Sequence, residues 1–273
     1  MTIFEEMVAE LSPQTSVEKT NAQQEVMQQI VLSGLQRSGF FEHAAFYGGT
    51  CLRIFHGLRR FSEDMDFTLT EKNLNVHLED YFPDIIEAFK LTGREVEIKK
   101  KEKSFGKVES AFLKDNTDVY DISFRTEKSL KIKIELDTDP PLGFETEQKL
   151  LLKPFSFMVR CVTLPDLFAG KMHALVYRNW QNRVKGRDWY DFEWYVANKI
   201  PLDFSHLQKR IQEFNGIEPT KEEFISSLKE RLASTDIDLL KQDVMRFLRT
   251  DPHSLDIWSN DYFLQLADMI VYK

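Results

Sequence analysis

The sequence predicts an α+β protein in which a mixed or antiparallel sheet is followed by a helical C-terminal half. Two observations carry this. Between about residues 94 and 162, short runs rich in β-branched and aromatic residues, several of them alternating with polar ones, are broken by Gly, Asn and Pro, which is the pattern of strands joined by turns. Beyond Thr163 the apolar residues recur at helical spacing instead. No Gly-rich linker divides the chain. The expectation is therefore a sheet unit over 1–162 packed directly on a helical unit over 163–273.

The elements follow in order. Thr15-Ser16-Val17-Glu18 has capping-box spacing, and Val26, Met27, Ile30, Val31 and Leu35 recur on one helical face, so a helix is predicted over 16–38. Ala44–Tyr47 reads as a strand, Thr50–His56 as a short helix and Met65–Leu69 as a second strand. His77–Lys90 suits a helix that Gly93 ends. Strands are predicted at 94–99, 107–113, 119–125, 130–137, 148–152 and 157–162, with Gly106, Asn116, Pro140–Gly143 and Pro154 in the connectors. Short hairpins imply antiparallel pairing. Helices are predicted at 164–178, 187–198, 204–214, 220–233, 235–248 and 257–272.

Composition narrows the function. At 273 residues, with 42% hydrophobic and 29% charged residues, the chain has the make-up of an ordinary soluble globular protein with a full core. It has no apolar run of about 18 residues, so no membrane span is expected. The acidic N-terminus MTIFEEMVAELS lacks the basic and apolar regions of a secretory signal. Cys51 and Cys161 are the two cysteines, and neither belongs to a CxxC pair. They are expected to be reduced, packed thiols of a cytoplasmic protein. A net charge of −8 argues against general coating of nucleic acid, but leaves room for a local basic face. Lys99, Lys100, Lys101, Lys103 and Lys107, and Lys128, Lys131 and Lys133, are candidates; the commoner role of such runs is to keep a strand edge solvated.

The chemistry concentrates in Phe46–Leu69, FYGGTCLRIFHGLRRFSEDMDFTL. Asp64 and Asp66 are two apart on a predicted strand, so both project from one face. Like charges at that range are costly unless a cation sits between them. Gly48 and Gly49 stand at a helix start, where backbone N–H groups and the helix dipole favour an anion. Together they describe a site for a metal–triphosphate complex, gripped by backbone groups near Gly49 and Thr50. In KIKIELDTD, Lys131, Lys133, Glu135 and Asp137 share one strand face while Ile132, Ile134 and Leu136 share the other. Alone this is a half-exposed strand, but two-metal nucleotidyl transfer needs a third carboxylate; Glu135 is the first choice, Asp137 the second. Lys133 is placed to neutralise phosphate.

The third segment runs from Pro165 to Asp191. Lys171 and Arg178 are seven apart, on nearly one helix face, and are expected to hold a triphosphate from across a cleft. Arg183, Lys185 and Arg187 follow them. Asp188 and Asp191 complete the site either directly or as buttresses, for instance to Arg178. Ser62 either caps a turn or binds phosphate. Arg53, Arg59 and Arg60, taken singly, read as surface cations, and His56 and His173 as satisfied helix residues.

Gly48-Gly49-Thr50-Cys51-Leu52 with Arg60-Phe61-Ser62-Glu63-Asp64-Met65-Asp66-Phe67 resembles the signature of the AbiEii/AbiGii toxin-type nucleotidyltransferases. Lys133-Ile134-Glu135 resembles the family's next strand. Lys171-Met172-His173-Ala174-Leu175 through Arg178, with Arg187-Asp188-Trp189-Tyr190-Asp191, resembles its helical motif. The likeness spans about residues 40–195. It implies a DNA polymerase β-like nucleotidyltransferase core, the toxin role of a type IV toxin–antitoxin or abortive-infection system, and an antitoxin encoded by an adjacent gene. It further implies transfer of a nucleotide from an NTP to RNA, notably the tRNA 3′ end. Asp64 and Asp66 would bind metal, Gly48, Gly49 and Ser62 would contact phosphates, and Lys171 with Asp188 or Asp191 would complete the site. Mg²⁺, with Mn²⁺ as alternative, suits oxygen ligands shared with phosphates. Two other readings stay open: transfer to a small molecule or protein, and a non-catalytic module that binds a partner.

Overall fold

The computed structural model describes residues 1–72, 75–101, 117–178, 185–248 and 252–273. The predicted strand at 107–113, with Gly106, Asn116, Lys103, Lys107 and Arg183, lies outside the described residues.

The chain opens with a helix the sequence reading did not assign, α1 (Ile3–Glu10), nucleated by a capping box between Thr2 and Glu5. Helix α2 (Ser16–Arg37) starts where expected, with the Thr15 hydroxyl accepting the Glu18 N–H. The box is incomplete, because the Glu18 carboxylate accepts from the Gln14 N–H instead. Strand β1 (Ala44–Tyr47) leads into α3 (Gly48–His56), and β2 (Asp64–Leu69) returns beside it. A 3₁₀ turn at Leu78–Tyr81 precedes α4 (Phe82–Leu91). The single helix predicted over 77–90 is divided because Pro83 sits in the first α-helical turn, where its missing N–H costs nothing. Gly34 of α2 lets the two helices cross closely, since a Cβ there would lie 2.7 Å from Ile85 Cα.

The remaining strands are β3 (Val96–Lys100), β4 (Thr117–Phe124), β5 (Lys131–Asp137), β6 (Thr146–Leu151) and β7 (Phe157–Val162). Among the described residues the sheet has seven strands in the order β3-β4-β5-β2-β1-β7-β6. The hairpins predicted after residue 94 are antiparallel, as are β1 and β2, but the central joins β2–β5 and β1–β7 are parallel. The sheet is therefore mixed. α4 and the β3–β4 hairpin intervene between β2 and β5, so β5 enters in the same direction as β2 instead of folding back from it.

Helices α5 (Leu164–Tyr177), α6 (Gly186–Ala197), α7 (Phe204–Asn215), α8 (Lys221–Ser234), α9 (Ile237–Met245) and α10 (Asn260–Asp268) follow. One core runs through sheet and helices, with Phe40, Phe46, Phe67 and Phe89 beside the strands and Phe168, Trp189, Phe192 and Phe263 among the helices. Cys51 and Cys161 are buried and unbridged. Among the described residues no helix is long and apolar enough to cross a membrane. The outer lysines behave as a solvated edge: Lys99 pairs with Glu97, Lys100 with Glu79 and Asp118, and Lys131 with Asp121.

Candidate active site

Strand alternation builds the floor of the site. On β2, Met65 and Phe67 point into the core while Asp64 and Asp66 face a cleft of about 600 Å³. On β5, Ile132, Ile134 and Leu136 are buried, and Lys133, Glu135 and Asp137 face the same cleft. The parallel register sets Asp64 beside Lys133, Asp66 beside Glu135 and Thr68 beside Asp137. Two acidic side chains from adjacent strands thus meet at Asp66 and Glu135, the pairing expected from sequence. Asp137 is one step further along the same face.

The electrostatics follow from this crowding. Burial, with the charges of Glu135 and Asp64, pushes the Asp66 carboxyl up to about 7. Lys133 lies between the other two carboxylates, its Nζ 3.2 Å from Asp64 Oδ2 and 2.6 Å from Glu135 Oε1. Burial alone would lower the Lys133 ammonium, yet Asp64 and Glu135 hold its proton on. Among the described residues no three His, Cys, Asp or Glu side chains form a ready-made cation cage. The donor set nevertheless fits a hard divalent cation. It offers carboxylate oxygens alone, and the raised Asp66 marks an excess of negative charge that the monovalent Lys133 and Arg178 do not fully offset.

The diglycine bend forms one end of the cleft. Helix α3 begins at Gly48 itself, two residues before the predicted start. Gly48 has φ +80°, and a Cβ there would collide with Asp66 Oδ2, so only glycine lets the carboxylate sit against the helix start. A Cβ at Gly49 would lie 2.6 Å from Arg60 Nη2 and 2.9 Å from Ser62 Oγ, which places Ser62 at this end as anticipated. Thr50 is different. Its side chain is fully buried, and its hydroxyl donates to the Asp64 carbonyl, tying α3 to β2. Only its backbone remains at the helix N-terminus.

Across the cleft, α5 presents Lys171 and Arg178. Lys171 Nζ is 2.7 Å from Asp188 Oδ1 and 2.8 Å from Asp191 Oδ2 on α6. Asp191 also receives Arg60 through Nε at 2.6 Å and Nη2 at 2.7 Å. With no exposed side-chain surface, Asp191 stands behind Lys171 as a buttress. Its partners are Arg60 and Lys171, not the Arg178 considered from sequence. Asp188 lines the cleft, and its buried Oδ2 has no hydrogen-bond partner among the described residues. Burial would raise its carboxyl, but Lys171 and Arg178 hold it down at about 2. Lys185, also in the cleft, is lowered to about 8 by burial.

Several residues here escaped the sequence reading. Arg60, read as a surface cation, is 2% exposed, because its guanidinium joins the diglycine end of the sheet to α6. Arg53 pairs with Glu25. Tyr47, Asp166, His206 and Arg210 also line the cleft. Burial and the Asp66 charge push the Tyr47 phenol well above its ordinary range. Burial lowers His173 and His206 to about 3, so both rings are neutral. None of these four roles leaves a motif in the chain.

The chain is similar to known proteins in sequence and in fold. The sequence model of the nucleotidyl transferase AbiEii toxin of type IV toxin–antitoxin systems matches residues 30–266. Among solved structures, JHP933 from Helicobacter pylori is similar with a TM-score of 0.52 at 17% identity, covering 91% of this chain and 90% of that one. A candidate nucleotidyltransferase from H. pylori gives a TM-score of 0.50 at 18% identity, over 90% of this chain and 91% of that one. At these identities the likeness is one of fold. No curated protein matches the chain.

Proposed function

This chain belongs to the AbiEii nucleotidyl transferase toxin family, and on that premise we propose that it is a metal-dependent enzyme moving NMP from an NTP to an acceptor hydroxyl, at the tRNA 3′ end. The observation that carries the reading is the meeting of Asp66 and Glu135 on adjacent strands, against Gly48 and opposite Lys171. Asp64, Asp66 and Glu135 would hold Mg²⁺, or Mn²⁺ in its place. Such ions supply charge neutralisation at the transferring phosphoryl group and at the pyrophosphate that leaves. Backbone N–H groups of Gly49 and Thr50, with the Ser62 hydroxyl, would bind the triphosphate at the positive end of α3. Lys171 and Arg178 would face it from the other wall, and Lys133 would leave the carboxylates for phosphate oxygen. Asp188 and Asp191 would keep Lys171 aimed. The cleft concentrates cations in a chain whose net charge is −8, which favours a compact polyanion such as an NTP.

As a type IV toxin the chain would be countered by an antitoxin from a neighbouring gene. Incubation with α-labelled NTPs, Mg²⁺ and purified tRNA tests the reading. Label should move to tRNA with the natural chain and not with Asp66→Ala. Transfer retained by Asp66→Ala would dismiss this site, and label moving only to protein or to a small molecule would dismiss the tRNA acceptor.

A further inference from the structure

Helix α5 faces the cleft with two stripes. Lys171 and Arg178 form one, and Asp166, Gly170 and His173, spaced four and three apart, form the other, about 100° round the helix. The first stripe leans toward α6, where Asp188 and Asp191 bond Lys171. The second leans toward α7, where the His173 ring lies 5.2 Å from that of Phe214 and bonds Asn215 at 3.0 Å. The phosphate-binding groups thus occupy one side of the cleft, and the other side has a different character. It is walled by Phe144 and His206, whose rings meet edge to face at 5.9 Å, and by Phe214.

Two further observations point to a ligand there. Asp166 is 2% exposed; its Oδ2 accepts from the Glu145 N–H and the Thr163 hydroxyl, but its buried Oδ1 has no partner. His206 is 5% exposed and its Nδ1 is likewise unpartnered. Buried polar atoms left in this way are costly. Gly170 sits in mid-helix, where glycine weakens a helix relative to alanine, and a Cβ added to it would meet nothing within 4 Å. The helix wall is open at that point of the second stripe.

We propose that the α7 side of the cleft is the nucleobase subsite, in which the flat base of the NTP lies over Gly170 among Phe144, His173 and Phe214 while His206 and Asp166 read its polar edge. This rests on the nucleotidyltransferase reading and adds to it the part of the substrate that reading leaves unplaced. A planar, partly polar ring matches a slot of aromatic walls with a few orphaned polar atoms. The triphosphate would then extend across α5 toward Lys171 and the start of α3.

The test is calorimetric binding of ATP, GTP, CTP and UTP, and of inorganic tripolyphosphate, each with Mg²⁺, to the full chain and to Gly170→Leu. The variant should bind every NTP at least tenfold more weakly and tripolyphosphate unchanged, and His206→Phe should flatten the ranking of the four NTPs. Should Leu prevent folding, Gly170→Ala gives the same split at smaller amplitude. Unchanged NTP binding by folded Gly170→Leu, or equal weakening of NTPs and tripolyphosphate, would overturn the subsite. So would intact NTP binding with loss of tRNA, which would give the slot to the acceptor. If the natural chain bound neither NTP nor tripolyphosphate, the nucleotidyltransferase reading would fall first and the subsite with it.

Discussion

The crowded carboxylates make stability and cation binding depend on pH in a definite direction. Asp66 has a folded-state pKa of about 7 against 3.8 for the free group. Between those values the folded chain keeps a proton that the unfolded chain has released, so this group's contribution to stability falls as pH rises from about 4 to 7. The gap is roughly three units, worth about 4 kcal/mol at most, and water in the cleft reduces it. Asp66→Asn carries no titrating proton, so without divalent ions it should melt close to the natural chain at pH 4 and well above it at pH 8. For a chain of this size about 2 kcal/mol is about 3–4 °C in Tm. In the proposed site Mg²⁺ would have to displace the Asp66 proton, so its affinity should rise about tenfold per pH unit below 7 and level off above. Thermal unfolding at pH 4, 6 and 8, with and without MgCl₂, measures both effects. A gap between variant and natural chain that fails to widen with pH would refute the argument, as would equal Mg²⁺ stabilisation of Asp66→Asn.

Other substitutions test the supporting structure. Asp191→Asn leaves the Arg60 guanidinium and the Lys171 ammonium short of negative charge in a buried setting, and should cost about 3–5 kcal/mol in urea unfolding. A loss below about 1 kcal/mol would mean that Asp191 is not the anchor of both cations. Gly48→Ala places a methyl group against Asp66 Oδ2 at φ +80°; it should cost about 1–2 kcal/mol and reduce transfer to tRNA at least tenfold, and full transfer by this variant would contradict the close approach. Lys171→Met keeps the stem but removes the charge proposed to face the triphosphate, so KM for NTP should rise at least tenfold; an unchanged KM would assign Lys171 to the Asp188–Asp191 buttress alone.

What could be read from the chain divides along a physical line. The carboxylate faces of β2 and β5 were legible because strand alternation is a local rule: Asp64 and Asp66 share a face whatever the sheet around them does. The parallel join of β2 to β5 was not legible, since it depends on where the chain returns after α4 and the β3–β4 hairpin. Even so Glu135 lies beside Asp66: buried Ile134 and Leu136 made its face legible, whereas the register that pairs it with Asp66 was not. Helix α1 escaped notice although Thr2 and Glu5 carry its capping box; a helix of eight residues gives too short an apolar period to stand out. Arg60 escaped for a deeper reason. A buried arginine and a surface arginine are the same letter, and what buries Arg60 is Asp191, 131 residues later. Position in the chain separates these two groups, yet their bond fixes the diglycine end of the sheet to the helix that aims Lys171. Local pattern therefore located groups that face the cleft, whereas the contacts that hold those groups in place are long-range pairings of opposite charge, and only the folded chain brings them together.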